Sequence, residues 1–365
     1  MIKVWNYLDE YEAEKAEIHE AIDEVLNSGW LILGTHVKSF EAEFAGYHDT
    51  KHGIGVANAT DGLFLSLRAL GIGKGDEVIT VSNTAVPTVS AIVATGATPV
   101  FVDIEEDSFL MDVNKIANVI TNKTKCILPV HLFGQCVDMV SVMAIAKRNN
   151  LKVLEDCSQS HGAEYKGKKC GGIGDASVYS FYPTKPLGGY GDGGIVLTND
   201  EDIKAKLLKL RFYGMEKTYY SVDAEGYNSR LDELHAAILR KKLKHLDSYI
   251  DKRRYIAEVY TKELESTPLI TPNELEHNKH VYYVYVCRSQ KRDALLAQLK
   301  EKDIHLNISY PWPIHTMSGF KDLGYKEGDL PITEKAAKEI FSLPMYPYLA
   351  EKEYRFTIEA LKELT

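Results

Sequence analysis

Lys185 and Asp156 are the residues of this 365-residue chain whose types and spacing point to a definite chemistry. Asp156 closes an apolar run, Leu151–Glu155, in LKVLEDCSQSHG. Lys185 follows a second run, Ala176–Phe181, in SFYPTKPLGGYGDGG. A buried carboxylate and a lysine about thirty residues apart, on neighbouring strand ends, suit pyridoxal phosphate. The amine forms an imine with the cofactor aldehyde, and the carboxylate keeps the pyridine nitrogen protonated so that the ring accepts electrons. Taken singly, each residue has a plainer reading. Lys185 could be a surface lysine, and Asp156 a helix cap or a metal ligand. The prolines and glycines around Lys185 (Pro183, Pro186, Gly188, Gly189, Gly191, Gly193, Gly194) favour a cramped loop against a ligand.

The cofactor phosphate needs backbone donors at a helix N-terminus. Asn58-Ala59-Thr60-Asp61-Gly62, between a strand and a helix, supplies them, and Ser180 adds a hydroxyl. Ordinary N-capping by Thr60 or Asp61 is the competing reading. No GxxxxGK[ST] occurs and no GxGxxG follows a strand, so triphosphate hydrolysis and dinucleotide redox chemistry lose support.

Short apolar runs alternating with helix-period segments must position these groups. Strands are expected at Gly53–Ala57, Glu77–Ser82, Pro99–Val102, Cys126–Val130, Lys152–Glu155, Ala176–Ser180 and Gly194–Thr198. Helices are expected at Asp61–Leu70, Ala85–Thr95, Asp112–Val119 and Met139–Asn149. Unbroken apolar strands separated by helices predict an α/β fold with a mostly parallel sheet covered on both faces. In such sheets, ligands sit beyond the carboxyl ends of the strands. From Leu231 a leucine-rich helical pattern runs to about Tyr260. Beyond it, Val281–Cys287 reads as a strand, and Asp293–Lys302 and Lys335–Phe341 as helices. The expected division is a large domain over 13–245 and a smaller α/β domain over 246–365, with residues 1–12 packing on the smaller one.

The composition, 45% hydrophobic and 26% charged, is that of a globular protein. A net charge of -9 without a basic block argues against nucleic acid. No membrane-length apolar stretch or secretory signal is present, so a cytoplasmic protein is expected. The five cysteines (Cys126, Cys136, Cys157, Cys170, Cys287) lack Cys-x-x-Cys spacing, so reduced thiols and no structural zinc are expected.

Motifs in order along the chain (GWLILGTHVKSFEAEFAGYH, ANATDGL, GDEVIT, GATPVFVDI, VHLFGQCVDM, LEDCSQSHGAEYKGKKCG, SFYPTK…GDGG, GYNSRLDELHAAIL, YPWPIH) resemble the sugar aminotransferases of the DegT/DnrJ/EryC1/StrS family. These have the fold-type I aminotransferase architecture and depend on pyridoxal phosphate, which cycles through pyridoxamine phosphate. The resemblance implies that Lys185 carries the cofactor, that Asp156 pairs with its ring nitrogen and that Gln159 lies against the ring. Ala59, Thr60 and Ser180 would hold the phosphate with Asn228 of a second subunit, implying a homodimer with shared sites. Tyr182, Lys217, Tyr310 and His315 are candidates for substrate contacts; a surface loop is the plain reading for Lys217, a structural histidine for His315, and a turn residue for Asn228. Many relatives place an aromatic residue on the cofactor face where this chain has Ala85, in TAVPT.

SNTAVPT with YPTKPLGGYGDGG looks most like the branch that transfers an amino group from glutamate to C3 of a nucleotide-linked 3-keto-6-deoxyhexose, with dTDP the expected nucleotide and a surface glycan such as lipopolysaccharide the destination. Amination at C4 of a 4-keto sugar is the alternative. Three other classes are weighed: a C3-dehydrating branch with histidine where Lys185 stands, which the lysine argues against; a non-catalytic regulator, which should lose the lysine or the aspartate, both present here; and an amino-acid enzyme. The last needs an arginine for the substrate carboxylate, which Arg288, Arg292 or Arg355 could supply.

Overall fold

The computed structural model describes residues 1–365. Seven strands form the central sheet: β1 (His52–Val56), β2 (Glu77–Val81), β3 (Thr98–Val102), β4 (Thr124–Ile127), β5 (Lys152–Asp156), β6 (Ala176–Ser180) and β7 (Gly194–Thr198). Their order across the sheet is β1-β7-β6-β5-β4-β2-β3. β7 runs antiparallel to both neighbours, and every other pairing is parallel. Every residue of β6 and β7 is buried, which is why these strands are apolar or small throughout instead of alternating. All seven strands lie where the apolar runs place them, with ends shifted by a few residues.

The helices around the sheet are α1 (Leu8–Ser28), α2 (Thr35–Tyr47), α3 (Ala59–Ala69), α4 (Val86–Ala94), α5 (Met139–Asn149), α6 (Glu201–Leu210), α7 (Glu233–Leu243) and α8 (Leu246–Leu264). No helix is long and apolar enough to cross a membrane. α1 and α2 form where the sequence pattern predicts no element. The buried stripe of α1 is narrow, Ile18, Ala21 and Val25 on an otherwise charged helix, and it packs on Ala237 and Ile238 of α7.

Four expected elements differ. The helix expected at Asp112–Val119 is a 3-10 turn, Val113–Lys115, followed by a single α turn, Ile116–Val119. The helix expected from Leu231 to Tyr260 is two helices, because the chain tightens at its middle. Lys244 N–H and His245 N–H bond three residues back, to Lys241 and Lys242 carbonyls, and the second helix begins at Leu246. The strand expected over 281–287 is ordered only from Tyr285 to Arg288. Tyr282 has a φ of 46°, and Val281 and Tyr283 instead donate to the Gly134 and Phe133 carbonyls. The helix expected at Lys335–Phe341 spans Pro331–Glu339, and Ile340–Leu343 pairs antiparallel with Tyr285–Arg288. The apolar Ile340-Phe341 pair belongs to that strand.

Two large apolar cores result, beside two small clusters of 5 and 4 residues. The larger has 64 buried residues and lies about the sheet; the second has 21 and joins the end of α8 to the C-terminal elements and to Ile2. Residues Ile2–Lys3 pair parallel with Ile304–His305. Cys136 and Cys170 lie side by side with Cα atoms 6.4 Å apart, whereas Cys126, Cys157 and Cys287 are separate and buried. Sequence spacing does not show that these two loops meet. His131 lies with both sulfurs, but its ring nitrogens are engaged: Nε2 with Glu155 at 2.9 Å, and Nδ1 accepting Val137 N–H at 3.1 Å.

Candidate active site

β5 ends on two adjacent carboxylates, and strand geometry sends them opposite ways. Glu155 is fully buried and receives N–H groups from Gly171 (2.9 Å), Ile173 (3.0 Å) and Gly174 (2.7 Å), besides His131 Nε2. Burial opposes its ionisation, but His131 and these amides outweigh it and hold the carboxyl below its ordinary value. Asp156 faces a cavity of about 330 Å³ at the carboxyl ends of the parallel strands. Thr88 Oγ1 donates to its Oδ2 at 2.8 Å and Ser158 N–H to its Oδ1 at 3.1 Å. Thr84 Oγ1 backs Thr88 Oγ1 at 2.9 Å. A carboxylate has about four acceptor sites, so Asp156 is oriented yet keeps acceptors for a ligand N–H.

Lys185 lines the same cavity. Its N–H donates to the Tyr182 carbonyl at 2.9 Å, and Nζ lies 4.4 Å from the centre of the Tyr283 ring. The Tyr283 hydroxyl shares a 2.9 Å hydrogen bond with Thr184 Oγ1.

At the cavity's far end is the start of α3. Asn58 caps it by accepting Asp61 N–H at 2.8 Å, while Ala59 and Thr60 border the cavity. The first N–H groups of a helix have no partner within it and attract anions. Ser180 stands beside them and accepts Tyr182 N–H at 3.3 Å, which leaves its own hydroxyl hydrogen free. Gly194 permits this closeness: a Cβ there would lie 2.6 Å from the Asn58 carbonyl carbon and 2.8 Å from Ala59 N. A carboxylate with spare acceptors, an amine and a helix-end anion cradle, around a space of this volume, fit pyridoxal phosphate in its ring, aldehyde and phosphate parts.

Gln159 has its amide fixed from both ends. Oε1 accepts Phe133 N–H at 2.8 Å and Nε2 donates to the Tyr310 hydroxyl at 2.9 Å. Tyr310 therefore keeps its own proton to donate. Burial, then the nearby Tyr283 and Asp156, push its ionisation upward, so it stays a neutral phenol. Ala85 borders the cavity with Pro87, and neither supplies an aromatic stack.

The cavity thus brings together Asp156, Lys185, Ala59, Thr60, Ser180, Gln159, Tyr182 and Tyr310. Three other expected residues lie outside its lining. Asn228 is exposed and its backbone bridges to Phe212. Lys217 is exposed on a hairpin, Met215–Lys217 with Tyr220–Ser221, whose tip Tyr219 is 95% exposed. His315 is buried, bonded through Nδ1 to Ser82 Oγ (2.8 Å) and through Nε2 to Glu334 (3.1 Å), and it borders a separate outer cleft with Trp312. Arg288, Arg292 and Arg355 are paired with Glu339, Asp293 and Glu351, away from the cavity. Thr88, Thr84 and Tyr283 were missed by sequence reasoning. A hydroxyl four residues from another at a helix start was the available signal for the threonines; Tyr283, 98 positions from Lys185, offered none.

A family model described as the DegT/DnrJ/EryC1/StrS aminotransferase family matches residues 12–362. The chain is 50% identical to the dTDP-3-amino-3,4,6-trideoxy-alpha-D-glucose transaminase of Micromonospora megalomicea subsp. nigra, over 99% of this chain and 98% of that protein. It is 47% identical to a pleiotropic regulatory protein of Geobacillus stearothermophilus, over 97% and 96%. Among solved structures, S. venezuelae DesV in complex with a ketimine intermediate superposes with a TM-score of 0.96 at 39% identity, covering 98% of this chain and 96% of DesV.

Proposed function

The chain belongs to the DegT/DnrJ/EryC1/StrS aminotransferase family, and on that premise we propose that it moves the amino group of L-glutamate to C3 of a nucleotide-linked 3-keto-6-deoxyhexose. It is a pyridoxal-phosphate-dependent sugar transaminase. The product in this reading is a 3-amino-3,6-dideoxyhexose, carried on dTDP and made in the cytoplasm for a surface glycan. The carrying observation is that Lys185 and Asp156 border one cavity with the N-terminus of α3. Amination at C3 accords with the activity named for the relative at 50% identity, and the C4 alternative is not favoured. A regulator without chemistry has no need of Lys185 and Asp156, and both are present.

When bound, pyridoxal phosphate supplies an aldehyde that takes up amino groups and a pyridinium ring that accepts electrons. Asp156 holds the ring proton, and Thr88 and Ser158 hold Asp156. Ala59, Thr60 and Ser180 orient the phosphate. Gln159, fixed by Phe133 and Tyr310, lies against the ring. Lys185 Nζ would be the attachment point and, when free, would carry the proton from the donor α-carbon to the cofactor carbon that bore the aldehyde. Two substrates take turns in one cavity, so ping-pong kinetics follow.

Tyr182 and Tyr310 are assigned to the sugar, Lys217 to a neighbouring copy's substrate, and His315 to support of the Ser82–Thr84 segment. Asn228 is assigned to the phosphate of a second copy in a homodimer. The exposed apolar side chains Trp30, Leu31, Tyr219, Tyr220 and Tyr227 accord with such a partner. In this reading residues 13–245 carry the cofactor and 246–365 close the cavity. The test is incubation with glutamate and a dTDP-linked 3-keto-6-deoxyhexose, with product mass and NMR. Nitrogen at C3 is expected; nitrogen at C4, or no amino sugar from a panel of keto sugar nucleotides, overturns the reading.

A further inference from the structure

We propose that the ring face of Tyr283 is the seat of the Lys185 ammonium whenever the lysine is detached from the cofactor, making Tyr283 a positioning residue for proton transfer. The inference deepens the reading above and rests on it for the role of Lys185. Nζ lies 4.4 Å from the ring centre, within cation–π range. No carboxylate makes an ion pair with Lys185; Asp156, which keeps acceptor capacity for a ligand N–H, is turned toward Thr88 and Ser158. The Tyr283 ring face is placed against the charge. A ring face attracts a cation without accepting its proton. The amine can rest there charged and still surrender that proton, whereas a carboxylate would hold it in an ion pair. One proton arrives on Nζ and one leaves; the ring takes part in neither transfer.

The geometry keeps this seat in place. The hydroxyl of Tyr283 bonds Thr184, the residue before Lys185, at 2.9 Å, but the ring is set mainly by its backbone. The Tyr283 N–H donates to the Phe133 carbonyl at 3.0 Å. Behind it, Arg253 is 1% exposed and donates through Nη1 to the carbonyls of Tyr282 (3.3 Å), Tyr283 (3.1 Å) and Met345 (2.9 Å). A buried guanidinium spent on three carbonyls locks the left-handed turn at Tyr282 that presents the ring.

The test compares Tyr283→Leu and Tyr283→Phe by two measurements. One is stopped-flow absorbance of the cofactor-loaded protein with L-glutamate, protiated or deuterated at the α-carbon. The other is acetylation of Lys185 in cofactor-free protein, read by peptide mass mapping at fixed pH. Leucine is expected to slow the donor half-reaction about tenfold, to raise its deuterium isotope effect and to raise Lys185 acetylation severalfold, with glutamate affinity unchanged. Phenylalanine keeps the ring and is expected to stay within about twofold of the parent in all three. Leucine behaving like the parent overturns the proposal, as does phenylalanine failing like leucine. A leucine effect confined to KM for the keto sugar also overturns it, by making Tyr283 an acceptor contact. If the parent protein fails to react with glutamate, the transaminase reading fails, and acetylation still decides where the ammonium sits.

Discussion

The two sides of the β5 terminus carry the same chemical group to opposite ends. Glu155 looks away from the cavity into a pocket where a histidine and three backbone amides surround it. Asp156, the next residue, looks into the cavity, held by one hydroxyl and one amide. The saturated carboxylate is a structural node: it fixes the 171–174 loop onto the sheet and leaves nothing for a ligand. The under-satisfied one is a site. Residue type and burial are alike in the two; unused acceptor capacity separates them.

Substitutions at and around this pair test that distinction. The largest effect is expected for Lys185→Ala, opposite Asp156: loss of covalently retained cofactor absorbance, and turnover lowered by about three orders of magnitude or more. Asp156→Asn is expected to lower kcat by about a hundredfold or more with little change in melting temperature, since the amide still accepts from Thr88 but does not stabilise a ring cation. Glu155→Gln is expected to do the reverse. It should cost about 3 kcal/mol of stability by chemical denaturation, because an amide cannot accept from all four donors, and should leave the absorbance of the surviving folded fraction intact.

Acid tests the same node. The Glu155 carboxyl is held below its ordinary 4.5, so its contribution to stability is complete above that pH and is lost as pH falls through the lower folded value. Melting temperature in the parent should drop over that acid range, and Glu155→Gln should show a shallower drop. Should the Glu155→Gln variant track the parent, the node assignment is wrong. The smallest effect is expected for Thr88→Val, about tenfold in kcat, through a less well-oriented Asp156.

The strand pattern and the Asp156–Lys185 spacing were legible because both are local. An apolar run is visible in its own residues, and a strand end followed by a polar residue marks where ligands gather. The opposite fates of Glu155 and Asp156 were not separable, since the donors to Glu155 come from His131 and the 171–174 loop, whose fold the sequence does not display. Thr88 was read only as part of a segment lacking an aromatic residue, and its bond to Asp156 depends on how α4 approaches β5. Tyr283 reaches Lys185 through a left-handed turn at Tyr282, a tyrosine where a strand had been expected. The split between α7 and α8 escaped notice for a similar reason: the leucine spacing continues through the turn while the backbone does not.

The edge strand β1 pairs only with β7, about 140 residues later in the chain. The proposed phosphate cradle lies where these two meet, with Gly194 pressed against Asn58 and Ala59. During synthesis, then, a chain that has not yet emerged from the ribosome past β7 possesses the helix end but not its wall, and no parallel neighbour can substitute. On the proposed phosphate site, the vitamin-derived ligand needs this long-range pairing for a complete cradle, so its binding favours the finished sheet.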